Sequence, residues 1–280
     1  MKKTISLTVL ARLTAILVCG TSAAAIDLHP IVEVQSGHLF GAIADGKWIK
    51  AEEAAKSITD ETTYRIYGLT QSFGEAKGSK PKSAAEAECP DTLQVSLSSK
   101  PEKGVIAIAA PWNALPRKPG VADPTQKVYV DAVRDFLKTK GIEQPQVKID
   151  NILRVDLDGD GEEEVLISAT NYLRKDERVP MRSPAGSYSV VLVRRVVAGN
   201  VQTQLVEGEF HPKAYPGNGT DDDARFDAPN AYKVIAILDL DGDGKMEVVV
   251  ASSYYEGDAI TIYRCNPKKV EALLSVSCGA

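Results

Sequence analysis

The chain is poor in the side chains that most often carry catalysis or bind transition metals. It has only 3 histidines and 4 cysteines among its 280 residues. No two histidines have zinc-type spacing, and the sequence contains neither a Gly-x-Ser-x-Gly elbow nor a glycine-rich phosphate loop. These absences favour a binding or structural protein over an enzyme. A secreted hydrolase stays open as the alternative, and a pocket containing His211 or residues 221–223 would favour it.

The sequence also lacks a strong excess of either charge, a heptad repeat and a collagen repeat. Its 33 basic and 38 acidic residues give a net charge of −5, and 44% of the residues are hydrophobic. Proteins that bind nucleic acids usually carry a basic excess, and disordered chains are less hydrophobic than this one. The composition therefore predicts a globular protein that has no nucleic acid partner.

The first 25 residues have the pattern of a secretory signal peptide. Two lysines precede a mostly apolar run, which ends near the small residues Ala23–Ala25. Arg12 leaves this run shorter than the roughly 20 apolar residues that span a membrane. We expect residues 1–25 to be removed and the protein to be secreted or periplasmic, without stable membrane insertion. A membrane anchor and a lipoprotein modified at Cys19 are the alternatives.

Cysteine placement predicts one disulfide, because exported proteins commonly contain them. Removal of the signal peptide leaves Cys89, Cys265 and Cys278. Cys265 lies within an alternating, strand-like run, whereas Cys89 and Cys278 lie at the edges of such segments. We therefore predict a bond between Cys89 and Cys278 and a free thiol at Cys265.

Short β-branched runs separated by turn residues dominate the chain, which is typical of β-strands. We predict a mainly β fold with one or two packed helices. Residues 26–122 form an N-terminal β region, with a tight hairpin turn at the Asp-Gly pair of residues 45–46 and a solvated loop over 74–88. Helices are predicted over 51–57 and, as a connecting helix, over 123–141.

Residues 147–280 contain an internal repeat built around two acidic loops. The first loop, from residue 156, reads Asp-Leu-Asp-Gly-Asp-Gly-Glu-Glu-Glu, and the second, from residue 239, reads Asp-Leu-Asp-Gly-Asp-Gly-Lys-Met-Glu. One strand-like run precedes each loop and three follow it. This order predicts two antiparallel four-strand meanders, each like one propeller blade. A closed propeller has about four to eight blades, so the prediction is propeller-like units that need not close.

Each acidic loop places carboxylates at its first, third, fifth and ninth positions. Four such groups in a tight turn repel each other by about 4 kcal/mol per pair at roughly 4 Å and an effective dielectric near 20, which a cation relieves. Oxygen ligands without histidine or cysteine indicate calcium, and the backbone carbonyl at the seventh position would complete the set. The predicted calcium ligands are Asp156, Asp158, Asp160, Glu162, Glu164, Asp239, Asp241, Asp243, Lys245 and Glu247.

The two loops resemble the calcium hairpins of FG-GAP and VCBS repeats, in which Asp-x-Asp-Gly-Asp-Gly-x-x-Asp/Glu joins two strands of a blade. An EF-hand is excluded, because Ile167 and Val250 stand where its twelfth-position acid would be. The resemblance covers the loops and their flanking strands, and it implies a blade-like fold with calcium at the carboxylate positions. The alternative is an exposed acidic turn that happens to occur twice.

The two units differ most between their second and third strands. The first unit has a basic insertion that contains Tyr172, Arg174 and Arg178, where the second unit has a short turn at Tyr255. Insertions in repeat folds often carry recognition. These four residues are therefore candidate ligand-binding residues for an unidentified protein or an acidic glycan. The alternatives are a solvated basic loop and tyrosines that cap the core.

Overall fold

A computed structural model describes residues 27–84, 89, 92–172, 179–180, 183–213 and 229–279. Within these residues the chain forms four antiparallel sheets and two helices, which confirms the predicted mainly β fold. The predicted signal peptide lies outside the described residues. In the part of the chain that is described, neither helix has the length and apolarity needed to cross a membrane.

The N-terminal half contains short strands and one helical turn. In chain order these elements are β1 (Leu28–Glu33), β2 (Leu39–Ala44), β3 (Lys47–Lys50), α1 (Ala51–Ala54), β4 (Thr62–Tyr67), β5 (Ser72–Gly78), β6 (Lys82–Ser83), β7 (Leu93–Gln94), β8 (Ile106–Ile108) and β9 (Gly120–Val121). A six-stranded sheet has the order β3-β2-β1-β8-β4-β5, and β6 pairs with β7. The β2–β3 hairpin turns at Asp45 and Gly46, which both have positive φ, as the Asp-Gly pair predicts.

The solvated loop predicted over 74–88 is wrong, because β5 and β6 occupy much of it. β5 is the edge strand of the six-stranded sheet. Its Glu75 and Lys77 are exposed, whereas Ala76 and Gly78 between and after them are buried. An edge strand that exposes one polar face has the composition of a loop, and only the alternation of burial distinguishes the two.

The second half begins with α2 (Lys127–Thr139) and continues as two meanders. The first unit consists of β10 (Ile149–Val155), β11 (Glu164–Thr170), β12 (Ser187–Val197) and β13 (Asn200–His211), and the second consists of β14 (Ala231–Leu238), β15 (Glu247–Tyr254), β16 (Gly257–Cys265) and β17 (Val270–Gly279). Each strand pairs with the next within its unit, and β9 adds to β10 at the edge of the first unit. The predicted four-strand meanders are therefore present, and the described sheets do not close into a barrel.

Helix α2 begins later than the predicted connecting helix over 123–141. The carboxylate of Asp123 accepts a hydrogen bond from Thr125 N at 2.8 Å and another from the Thr125 hydroxyl. These bonds hold a turn around Pro124 ahead of the first helical residue, Lys127. The buried side of the helix carries Tyr129 and Val133.

The three large sheets are stacked face to face, with the second unit in the middle. Helix α2 covers one face of the first unit. In β15 the consecutive residues Val248–Val250 are each at most 2% exposed. Because consecutive residues of a strand point to opposite faces, both faces of the second unit are covered. One continuous core joins that unit to the first unit on one side and to the six-stranded sheet on the other.

A disulfide joins the N-terminal half to the second unit. Cys89 and Cys278 are bonded with their Cα atoms 5.3 Å apart, the pair that their positions at segment edges predict. Cys265, at the end of β16, is free and buried. A cross-link over a sequence separation of 189 residues stabilises the fold by about 5 kcal/mol on the chain-entropy argument.

Candidate metal centre

Both acidic loops connect the first two strands of their unit through the same hydrogen bonds. Asp156 accepts from Gly159 N at 2.6 Å and from Gly161 N at 3.1 Å. Asp239 accepts from the glycines at the same two positions of its loop, at 2.8 and 3.1 Å. All four glycines have φ between 74° and 93°, a region that residues with a Cβ rarely adopt. The Asp-x-Asp-Gly-Asp-Gly pattern therefore specifies one backbone conformation twice.

Three carboxylates converge within each loop. The first triad consists of Asp156, Asp158 and Glu164, and the second of Asp239, Asp241 and Glu247. One oxygen from each member lies within 4.8 Å of the corresponding oxygens of the other two. Calcium lies about 2.3–2.6 Å from its oxygen ligands, so the ligands of one ion can be up to about 5 Å apart. Each triad therefore has dimensions that can hold a metal ion.

The carboxylates at the fifth loop position lie outside the two triads. Asp160 accepts a hydrogen bond from Glu162 N at 2.8 Å, and Asp243 accepts one from Lys245 N at the same distance. These side chains hold the turn that follows them. The structure thus brings together three of the four predicted carboxylates in each loop, and the carbonyl ligands at Glu162 and Lys245 stay predictions.

Burial disfavours the ionised form of the carboxyl groups in the second triad. Glu247 is fully buried and Asp239 is 6% exposed. Burial, together with the nearby Asp241 carboxylate, raises the pKa of Glu247 to about 8 against the opposing effects of the Leu240 N–H group and Arg264. Burial also raises the pKa of Asp239 and of Glu164 in the first triad. A cation among such carboxylates favours their charged forms.

The guanidinium group of Arg264 forms hydrogen bonds with two carboxylates of the second triad. Arg264 Nη2 donates to Asp241 Oδ2, and both Nη2 and Nε lie 3.3 Å from Glu247 Oε1. Trp48, in β3, donates from Nε1 to Asp241 Oδ2 at 3.3 Å, and its ring lies 5.8 Å from the guanidinium carbon. The N-terminal sheet therefore reaches the second triad through Trp48.

The segment 112–117 connects the two acidic loops. Trp112 Nε1 donates to Asp239 O at 2.9 Å, at the start of the second loop. Arg117 donates to Asp156 O at 2.5 Å in the first loop and to Gly244 O at 2.7 Å in the second. One arginine thus holds the backbone of both loops side by side, and the loop repeat alone gives no sign of it.

The candidate ligand-binding residues do not form one surface within the described part of the chain. Tyr172 is half-buried, and its hydroxyl donates to Asn230 O at the start of the second unit. Tyr255 is 41% exposed in the β15–β16 turn. Arg174 and Arg178 lie outside the described residues. Tyr172 therefore joins the two units, while Tyr255 is open to solvent and does not cap the core.

A serine, a histidine and a glutamate meet at the end of the first unit. Ser183 Oγ lies 3.0 Å from His211 Nε2, and Glu209 Oε1 lies 2.6 Å from the same nitrogen. In a catalytic triad the nucleophile and the carboxylate contact different ring nitrogens. Glu209 also accepts from the backbone and side-chain nitrogens of Asn230 at 3.0 Å. This group therefore resembles a structural tether between the units more than a proton relay.

Comparison with known protein families, with curated proteins and with solved structures finds no match to this chain.

Proposed function

We propose that this protein is an exported calcium-binding β-repeat protein, in which two ions stabilise the junction between its sheets and make it a rigid binding or structural module. The observation that carries the proposal is the pair of all-oxygen triads on adjacent loops. Six carboxylates with no histidine or cysteine among them suit a hard cation such as calcium, and not zinc or copper. The resemblance of both loops to FG-GAP and VCBS hairpins supports the same ion.

The location of the triads supports a structural role. Asp156, Asp158 and Glu164 would hold one ion, and the second triad would hold another beside the contact with Trp48. An ion supplies two positive charges where buried carboxylates otherwise repel each other. Arg117 and Trp112 contact the same loops. An ion that neutralises the triad carboxylates therefore also stabilises the packing of all three sheets.

Two cavities beside α1 give little support to the hydrolase alternative. Spaces of about 330 and 380 Å³ lie between α1 and β17. Neither is lined by a triad carboxylate or by His211. Residues 221–223, the other candidates for catalysis, lie outside the described part of the chain. The partner of the proposed module is an unidentified protein or glycan.

Thermal unfolding with and without calcium tests the proposal. At sites with affinities of about 10⁻⁴ M, within the range of extracellular calcium modules, roughly 10 mM calcium stabilises the fold by about 2.7 kcal/mol per site. We expect a higher melting temperature in calcium than in chelator, and no difference for the variant that combines Asp158→Ala with Asp241→Ala.

The matched control is Asp135→Ala, which removes an exposed carboxylate of α2 whose side chain is 75% accessible. This variant should keep the full calcium response. Identical melting curves of the unaltered protein in calcium and in chelator would contradict the proposal.

A further inference from the structure

An arginine lies at the same strand position in both units, opposite the last glutamate of the acidic loop. The register of β11 and β12 pairs Val165 with Arg194, so one position further along Arg195 falls opposite Glu164. The register of β15 and β16 pairs Val248 with Tyr263, so one position further along Arg264 falls opposite Glu247. The two units therefore offer each triad a guanidinium from the neighbouring strand.

The two arginines have different partners. Arg264 contacts Asp241 and Glu247, two members of the second triad. Arg195 is 4% exposed, and its Nη2 donates to Cys265 O at 2.8 Å across the contact between the units. Among the described residues, its Nε and Nη1 have no hydrogen-bond partner. A guanidinium thus binds carboxylate oxygens in the second triad, whereas Arg195 is directed to a carbonyl.

We propose that Arg264 is a tethered counter-ion that makes the second triad bind calcium more weakly than the first, an inference that rests on the proposed calcium binding. Glu247 Oε2 already accepts a hydrogen bond from Leu240 N at 3.0 Å. The other oxygen, Oε1, is the one that Arg264 contacts. Calcium and Arg264 therefore compete for the same oxygens.

Charge and packing both act against calcium at the second triad. The number of charges on the ligands sets the affinity of calcium sites, and the guanidinium offsets one of the three carboxylate charges. The Trp48 ring lies over Arg264, and its Nε1 donates to the same Asp241 oxygen. Displacing Arg264 therefore also disrupts a contact with the N-terminal sheet.

Two single-site proteins measure the two affinities separately. Asp241→Asn leaves only the first triad, and Asp158→Asn leaves only the second. In calorimetric titrations with calcium, we expect the D241N protein to bind about tenfold or more tightly than the D158N protein, a difference well within the range that ligand charge produces. This comparison keeps Arg264 in place, so it does not depend on how a variant of that residue folds.

Substitution of Arg264 then tests its role directly. Adding Arg264→Gln to the D158N protein should tighten calcium binding about tenfold, because the competing charge is removed. Arg264→Lys, which keeps the charge, should tighten it less. The control Arg154→Gln removes a charge that pairs with Glu163 at 2.8 Å, outside both triads, and should leave the affinity of the second triad unchanged.

The outcomes separate this inference from the proposal beneath it. Equal affinities of the two single-site proteins, or tighter binding by D158N, would overturn the role of Arg264, as would unchanged binding after Arg264→Gln in a folded protein. If the unaltered protein and both single-site proteins release no heat and show no stabilisation with calcium, the calcium proposal itself fails.

Discussion

The two acidic loops have the same backbone and very different surroundings. In the first loop, Asp156 and Asp158 are partly exposed. The second lies beside the N-terminal sheet, where Trp48, Trp112 and Arg264 contact it. A short repeated motif can thus specify a loop conformation completely, while the layers around each copy set its electrostatics.

The largest expected difference between the loops is in the effect of pH on the metal-free protein. The pKa of Glu247 is raised to about 8 in the folded state, so the folded chain holds this proton more tightly than the unfolded chain does. The stability that results is complete below about pH 4.5 and is lost as the pH rises through about 8, a change of roughly 5 kcal/mol at most.

Denaturant unfolding in chelator measures this loss of stability. The measurements run from about pH 5 to about pH 9, a range that spans the raised pKa of Glu247. The variant Glu247→Gln should lack it, whereas Glu164→Gln in the first triad should retain most of it. With calcium, stability should instead increase as the pH rises, because a bound ion favours the charged form of the Glu247 carboxylate. A Glu247→Gln protein whose stability changes with pH as steeply as that of the parent would refute this explanation.

The next largest effect is expected from Arg117, which contacts the backbone of both loops. Arg117→Ala removes charged hydrogen bonds to carbonyl groups of both loops, and each such bond contributes about 1.5–3 kcal/mol. We expect the free energy of unfolding to fall by about 3 kcal/mol and calcium binding to weaken at both triads. Chemical unfolding and calorimetry measure the two effects.

The neighbouring exposed Lys118 provides the control for Arg117. Lys118→Ala should change stability by less than about 0.5 kcal/mol, as is usual for surface positions. If Arg117→Ala weakened calcium binding at only one triad, the two loops would not be joined in the way described.

The smallest expected difference compares the glycines at the fourth position of each loop. Gly159 and Gly242 have φ of 82° and 74°, so alanine is strained at both, by about 1–2 kcal/mol. A Cβ at Gly242 would lie 3.0 Å from the Trp112 ring, whereas at Gly159 the nearest atom is Arg117 Nη1, at 3.5 Å.

Gly242→Ala should therefore destabilise the protein by about 1 kcal/mol more than Gly159→Ala, because the ring must move. Parallel denaturant curves of the two variants measure this gap. Equal losses in the free energy of unfolding would show that the Trp112 ring moves without an energetic penalty. The two loops would then be as similar in packing as they are in backbone conformation.

The sequence predicts the repeat and its loops well because both depend on local chemistry. The Asp and Gly spacing determines the turn, and the β-branched runs before and after each loop determine the four strands of each meander. The pairing of Cys89 with Cys278 followed from their position at segment edges. These signals lie within a few residues of the features that they specify.

The surroundings of the triads could not be predicted, because distant parts of the chain supply them. Trp48 and Arg117 are far in sequence from the loops that they contact, and they lie outside the repeat. Arg264 lies in the strand next to that of Glu247, but only the register of β15 and β16 shows that the two side chains are neighbours. Asp160 stays a predicted ligand, and spacing alone does not show that its oxygen accepts a hydrogen bond from Glu162 N.

The order of the layers has a consequence for synthesis. The second unit is the middle layer of the stack, yet its strands come last along the chain. The strands of both outer sheets are synthesised before β14–β17, against which their apolar faces pack. A nascent chain that stops before β14 would therefore present two uncovered hydrophobic surfaces, the kind of intermediate that chaperones retain and that aggregates when they do not.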